Sequence, residues 1–123
     1  MTIIEAINRI NILKPNTFTQ SEKVKWLSTL DGIIKIEIID AHVGAEQVTF
    51  NGYDDNTDLS TELLVPAPYD ELYLFWLESN IDYWNGEYGK YNNSLQTYKD
   101  AYSDFARYYK RTHTPKGRKF KFF

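Results

Sequence analysis

The stretch that decides the fold runs from Asp70 to Arg111 and reads DELYLFWLESNIDYWNGEYGKYNNSLQTYKDAYSDFARYYKR. It holds eight of the chain's ten tyrosines and two of its three tryptophans. Large side chains recur along it at alternating spacings of three and four residues, which is the pattern of one helix face. The spacing therefore predicts a helical segment. Its positions are Tyr73, Leu77, Ile81, Trp84, Tyr88, Tyr91, Leu95, Tyr98, Tyr102, Phe105 and Tyr109.

Two glycines, Gly86 and Gly89, interrupt this pattern. Each costs a helix interior about 1 kcal/mol, so the segment is either one helix about 65 Å long or two helices hinged at the glycines. Because the register is unbroken, we favour one near-continuous helix with a kink. Such a helix outreaches a globule whose radius of gyration is about 14 Å. We therefore expect self-association, with Tyr98, Tyr102 and Tyr109 as candidate contact residues.

Two shorter helical patterns precede this segment, and each begins with a capping box. Thr2 and Glu5 begin the first pattern, which Pro15 ends because the residue before a proline avoids the helical region. Thr19 and Glu22 begin the second. These signals predict two N-terminal helices.

The end of the second pattern also has a strand interpretation. Ile34, Ile36 and Ile38 alternate as they would in a strand, and Gly32 weakens a helix. The capping box and the length of the apolar stripe favour the helix.

The connection from Val43 to Ala67 has no helical period and is rich in turn residues, so we predict an irregular loop with two short strands at most. Asp54, Asn56 and Asp58 imitate the start of a calcium-binding loop. Such a loop needs glycine and glutamate where this chain has Leu59 and Val65. We therefore predict no metal and no cofactor here.

Charge divides the chain into two parts. Seven basic residues and no acid follow Asp104, whereas residues 1–104 carry all 17 acids. We predict one helical domain over residues 1–113 and a flexible basic tail over 114–123. Three interpretations of the tail are open: a solvated chain end, a segment that binds nucleic acid, or a peptide that docks on a protein. Its candidate contact residues are Lys116, Arg118, Lys119, Phe120, Lys121, Phe122 and Phe123.

Catalytic patterns are not visible in the sequence. His42 and His113 lie far apart along the chain, and neither stands in a nucleophile or metal motif. There is no cysteine, which fits a reducing compartment. No apolar run is long enough to cross a bilayer. We expect a non-enzymatic protein of the cytoplasm with no membrane partner.

Four stretches follow one another along the chain: LKPN, then SEKVKWLSTLDG, then GYDDNTDLSTELLVPAPYDELY, then IDYWNGEYGKYNNSLQTYKDAYSDFARYYKRTH. Together they resemble a small protein family of tailed bacteriophages and of prophages in Gram-positive bacteria. Its members are head–tail connectors, also called adaptor or head-completion proteins. The resemblance runs from about Ile3 to His113 and is most specific in TELLVPAPYDELY and YNNS.

The resemblance implies a mostly α-helical subunit that forms a homo-oligomeric ring beneath the portal. The ring would extend the DNA channel, contact the portal and tail proteins, and lie in the neck of the virion after assembly in the bacterial cytoplasm. The family offers no catalytic residues to carry over. The alternative function is nucleic-acid binding through the tail, which the acidic body opposes.

Overall fold

The computed structural model of the protein describes residues 1–117. Lys116, exposed at the start of the predicted tail, is therefore described. The other tail residues named above lie outside the described part: Arg118, Lys119, Phe120, Lys121, Phe122 and Phe123.

Four helices make up the described fold: α1 (Ile3–Leu13), α2 (Gln20–Glu37), α3 (Leu72–Trp84) and α4 (Tyr88–Thr112). Residues 1–117 contain no strand, only two isolated bridges, so the two short strands allowed for the loop do not form. The predicted class, a small helical bundle with a long C-terminal helix, is confirmed.

Both N-terminal helices begin where their capping residues predict. The Thr2 side chain accepts a hydrogen bond from the Glu5 amide at 3.2 Å, and the Glu5 carboxylate accepts one from the Thr2 amide at 2.8 Å. The Thr19 hydroxyl caps α2 through the Glu22 amide at 3.2 Å. The α2 helix continues to Glu37, so the strand interpretation of its last turn is wrong.

The near-continuous helix expected for the central stretch is also wrong. The chain reverses between Trp84 and Tyr88, where Gly86 takes a left-handed φ of 76°. The α3 and α4 helices then pack antiparallel, with the rings of Trp76 and Tyr98 4.9 Å apart. Because the chain reverses, the two halves of the apolar stripe are buried against each other. On a straight helix the stripe would have to be covered by a partner.

The four helices alternate in direction. The Trp76 indole donates to the Trp26 carbonyl at 2.7 Å, and the Tyr73 hydroxyl, earlier in α3, donates to Asp31, later in α2, so α2 runs antiparallel to α3. The N-terminal ammonium contacts Asp70 and the Lys14 ammonium contacts Asp82 at 2.5 Å, so α1 runs parallel to α3 and ends beside its last turn. We call this end of the bundle, next to Gly86, the turn end.

A buried carboxylate ties the long loop to the bundle. Asp31 on α2 accepts hydrogen bonds from the hydroxyls of Tyr53 and Tyr73, each at 2.5 Å, and from the Leu64 amide at 3.1 Å. The Tyr73 hydroxyl in turn accepts from the Val65 amide at 2.8 Å. Burial raises the pKa of Asp31, although these hydrogen bonds oppose the shift. The loop is thus held in place without strands.

The residues after α4 pair with the end of α2. The Val43 amide donates to the Thr114 carbonyl at 2.8 Å, and the Lys116 amide donates to the Ala41 carbonyl at 3.0 Å. The last described residues therefore lie beside Ala41, at the end of the bundle opposite the turn end. We call this end the tail end.

Candidate functional site

The rings predicted to contact other copies lie largely inside the bundle. Tyr98 is buried, with 8% of its surface exposed, and packs on Trp76. The half-buried Tyr102 donates its hydroxyl to the Glu37 carboxylate at 2.5 Å. Burial raises the pKa of both tyrosines, and the nearby Glu37 charge adds to the shift. The structure assigns these two rings to the contact between α4 and its neighbours in the same chain.

Tyr109 also has partners within its own chain, and it brings the two histidines together. Its ring stacks on His113 at a centroid distance of 3.7 Å and meets the edge of His42 at 5.0 Å. The His42 Nδ1 lies 2.7 Å from the Ile38 carbonyl, to which it donates. Within residues 1–117, no group of three or more acidic or histidine side chains is arranged to hold a metal ion. This cluster closes the tail end of the bundle.

A different set of rings is exposed at the turn end. Tyr83, Trp84 and Tyr88 have 43%, 62% and 60% of their surface exposed. Tyr83 is their centre, with ring centroids 5.1 Å from Trp84, 5.9 Å from Tyr88 and 5.2 Å from Tyr91. We call these four rings the aromatic tip. Edge-to-face contacts of this kind hold the rings in place but leave their outer surfaces free for a partner.

A shallow groove of about 220 Å³ continues the aromatic tip along α3 and α4. Polar side chains in it are satisfied by their own helix: the Ser79 hydroxyl and the Asn80 amide both donate to the Trp76 carbonyl, at 2.8 and 2.9 Å. The groove therefore offers mainly ring and aliphatic surface. It is lined by Trp76, Asn80, Tyr83, Trp84, Tyr91 and Leu95, together with Ser79.

The end of α1 adds apolar surface to the same end of the bundle. Ile12 and Leu13 are 79% and 60% exposed. They directly precede Lys14, which the Asp82 carboxylate holds against the end of α3. Apolar side chains of two separate segments are thus exposed at the turn end.

Charge is distributed unevenly along the chain. Residues 36–89 contain twelve acidic residues and no lysine or arginine. This range includes the long loop, all of α3 and the α3–α4 turn. The last turn of α3, which carries Trp84, contains no basic residue of its own, but the Lys14 ammonium lies 2.5 Å from the Asp82 carboxylate of that turn. The range as a whole is strongly acidic, whereas beside the tip Lys14 is paired with Glu78 and Asp82, and Lys90 with Glu87.

The sequence contains a turn signal at the tip, although the apolar spacing continues through it without a break. Asn85 and Gly86 form an Asn-Gly pair, which is a strong turn signal, and aromatic residues flank it on both sides. Rings beside a tight turn cannot all enter the core, because the chain there is at the surface. That reasoning would have selected Tyr83, Trp84 and Tyr88 as the exposed rings.

Comparisons with known proteins add no family to this description. No protein-family model, no curated protein and no solved structure matches the chain. Within the described residues, no helix is long and apolar enough to cross a membrane.

Proposed function

We propose that this protein is a non-enzymatic structural subunit that joins with further copies into a ring in the neck of a phage or prophage particle. In that position it would link the portal of the head to the tail. The observation that carries the proposal is the aromatic tip, a cluster of exposed rings on a bundle whose other large rings are mostly packed within the chain. Tyrosine and tryptophan are enriched where proteins contact one another.

The stretches that resemble head–tail connectors have defined places in the fold, which supports the proposal. The segment TELLVPAPYDELY supplies Leu64, Val65 and Tyr73 to the buried network around Asp31. The segment YNNS supplies Ser94, whose hydroxyl donates to the buried Asp82 carboxylate at 2.9 Å. These stretches determine how the loop and the α3–α4 hairpin are held, so the resemblance concerns the architecture of the subunit.

The proposed partners are other copies of the chain, a portal protein and a tail or neck protein. Nucleic-acid binding through the tail is the weaker alternative, because residues 36–89 present twelve carboxylates and no basic side chain. A surface of that charge repels phosphate groups. DNA passing through the centre of a ring does not require a specific DNA contact.

The proposal is tested by deleting the gene from a phage or inducible prophage that encodes this protein. We expect filled heads and free tails to accumulate separately, as counted by electron microscopy, and wild-type protein supplied in trans to restore joined particles. Trp84→Ala with Tyr88→Ala should fail to restore them. Both side chains are largely exposed but each contacts the Tyr83 ring, so the fold should lose about 1 kcal/mol per site.

The matched control is Lys99→Ala, which removes an exposed side chain of α4 away from the tip. It should restore joined particles as wild type does, and circular dichroism should show all variants folded. Joined, infectious particles in the absence of the gene would contradict the proposal. A folded tip variant that restores joining fully would show that the tip is not the contact surface.

A further inference from the structure

We infer that the aromatic tip of one copy binds the basic, phenylalanine-rich segment RKFKFF, residues 118–123, of a second copy. The inference rests on the proposed function and specifies the contact through which neighbouring subunits would join. Three properties of the chain lead to it: the chemistry of the two surfaces, their charges, and the distance between them within one chain.

The chemistry of the segment matches the tip and its groove. Phe120, Phe122 and Phe123 can enter a groove lined by rings and aliphatic side chains, where their apolar surface leaves water. The interleaved basic residues can lie over the faces of Trp84 and Tyr88, because an aromatic face attracts a cation. A segment of purely acidic or aliphatic residues would make only part of these contacts.

Charge supports the same pairing. The chain carries seven basic residues and no acid after Asp104, whereas residues 36–89 carry twelve acids and no base. The opposite charges of the tail of one copy and the body of the other raise the rate of their encounter and favour tail-to-body orientations. Beside the tip itself, the three carboxylates of Glu78, Asp82 and Glu87 outnumber the two ammonium groups paired with them, those of Lys14 and Lys90.

Distance excludes the tip of the same chain. The tail leaves the body where Lys116 bonds to Ala41, close to the level of Tyr109 on α4. Tyr91, the ring of the tip nearest the tail end, is about 27 Å from Tyr109 along α4 at 1.5 Å per residue, and Tyr88 is about 32 Å away. The six residues after Gly117 span at most about 21 Å when fully extended. The contact is therefore between two copies.

This geometry also constrains how the copies are arranged. A tail that starts at the tail end of one bundle reaches the turn end of the next only when the two bundles are offset along their axes. The two contacting surfaces are different, so the contact is heterologous, and repeated contacts of this type close into a ring or extend as a filament. It is a subunit contact of the kind that the proposed ring requires.

The test uses two full-length variants, each of which keeps one half of the contact. The first replaces Phe120, Phe122 and Phe123 by serine, keeps the tip, and is labelled with nitrogen-15. The second carries Trp84→Ala and Tyr88→Ala, keeps the tail, and is unlabelled. Neither can form chains of contacts, so their mixture contains only pairs. The Trp84 indole signal should move in a saturable titration up to millimolar concentration, while the Trp26 indole, buried in the core, should not.

Two unlabelled control proteins decide which group is responsible. A copy that lacks both tip and tail phenylalanines should leave the Trp84 signal unmoved. A copy with an intact tip but no tail phenylalanines should also leave it unmoved; if it moves the signal equally, tips bind tips and the inference is wrong. The first control keeps the basic residues of the tail. If it moves the Trp84 signal as far as the native tail does, charge alone is sufficient and the inference is also wrong.

The outcomes separate this inference from the proposed function. No movement of Trp84 with the native tail at millimolar concentration overturns the inference. If particle joining still depends on the gene, the ring proposal survives with a different subunit contact. If Trp84 moves as expected but particles join without the gene, the contact is real and the proposed function is wrong.

Discussion

Alanine at the two glycines of the central stretch should change stability in opposite directions, although the glycines are only three residues apart. Gly86 has a left-handed φ of 76°, and an added Cβ would meet no atom within 4 Å. Its substitution is therefore opposed by backbone strain alone. Gly89 is the second residue of α4, and its added Cβ would also meet nothing within 4 Å. Its substitution removes a helix-destabilising residue without a steric cost.

The magnitudes follow from these two environments. A left-handed conformation costs an ordinary residue about 1–2 kcal/mol, and loss of freedom in the unfolded chain returns about 0.4–1 kcal/mol. Gly86→Ala should thus lower the free energy of unfolding by roughly 0.5–1 kcal/mol. Gly89→Ala should raise it by up to about 1 kcal/mol.

Urea denaturation followed by far-UV circular dichroism measures both changes. The midpoints should move in opposite directions while the denaturant dependence stays the same, since neither change alters the surface exposed on unfolding. Gly89→Ala acts as the control for the general effect of adding a methyl group. If both substitutions stabilise the protein equally, Gly86 has helical backbone angles in solution and the α3–α4 hairpin is wrong.

Two further predictions concern the buried network that holds the loop. Tyr73→Phe should lower the free energy of unfolding by roughly 3 kcal/mol, because it removes a donor from a buried carboxylate and leaves the Val65 amide without its acceptor. Tyr53 is only half-buried, so Tyr53→Phe should lower it by about 1 kcal/mol in the same urea denaturation assay. Asp31 has a folded pKa above its ordinary value of 3.8, so the folded state binds its proton more tightly than the unfolded state does. The stability of wild type relative to Asp31→Asn should therefore be greatest below that value and fall as the pH rises through the folded pKa, and a difference that rises with pH would contradict the assigned shift.

Local signals predicted the helices well, because each signal acts within one turn. The Thr2 and Thr19 caps and the break before Pro15 each depend on hydrogen bonds or sterics between residues close in sequence. The break at the glycines was considered as the alternative but not favoured, since periodicity reports only that one face is buried. A helical hairpin buries that face against itself, and a continuous helix buries it against a second copy. Both produce the same spacing of apolar residues in the sequence.

The arrangement of the site depended on contacts that no local pattern contains. Asp31 bonds to Tyr53 and Tyr73, which are 22 and 42 residues away, and this pairing determines where the loop lies. Likewise, His42 and His113 meet only because α2 and α4 end at the same end of the bundle. The sequence identified the chemical types present, but the hairpin determined that Tyr98 is internal and Trp84 exposed.

The hairpin also determines how strong a subunit contact through the tip can be. Three rings with about half of their surface exposed offer roughly 300 Å², whereas a stable interface buries about 800 Å² on each partner. The tip alone is therefore too small to hold two free copies together. In a closed ring each subunit makes two such contacts, and the second forms at a high effective concentration. We therefore expect weak association of the free protein and cooperative assembly on a portal, so that loss of the tip abolishes assembly rather than weakening it in proportion.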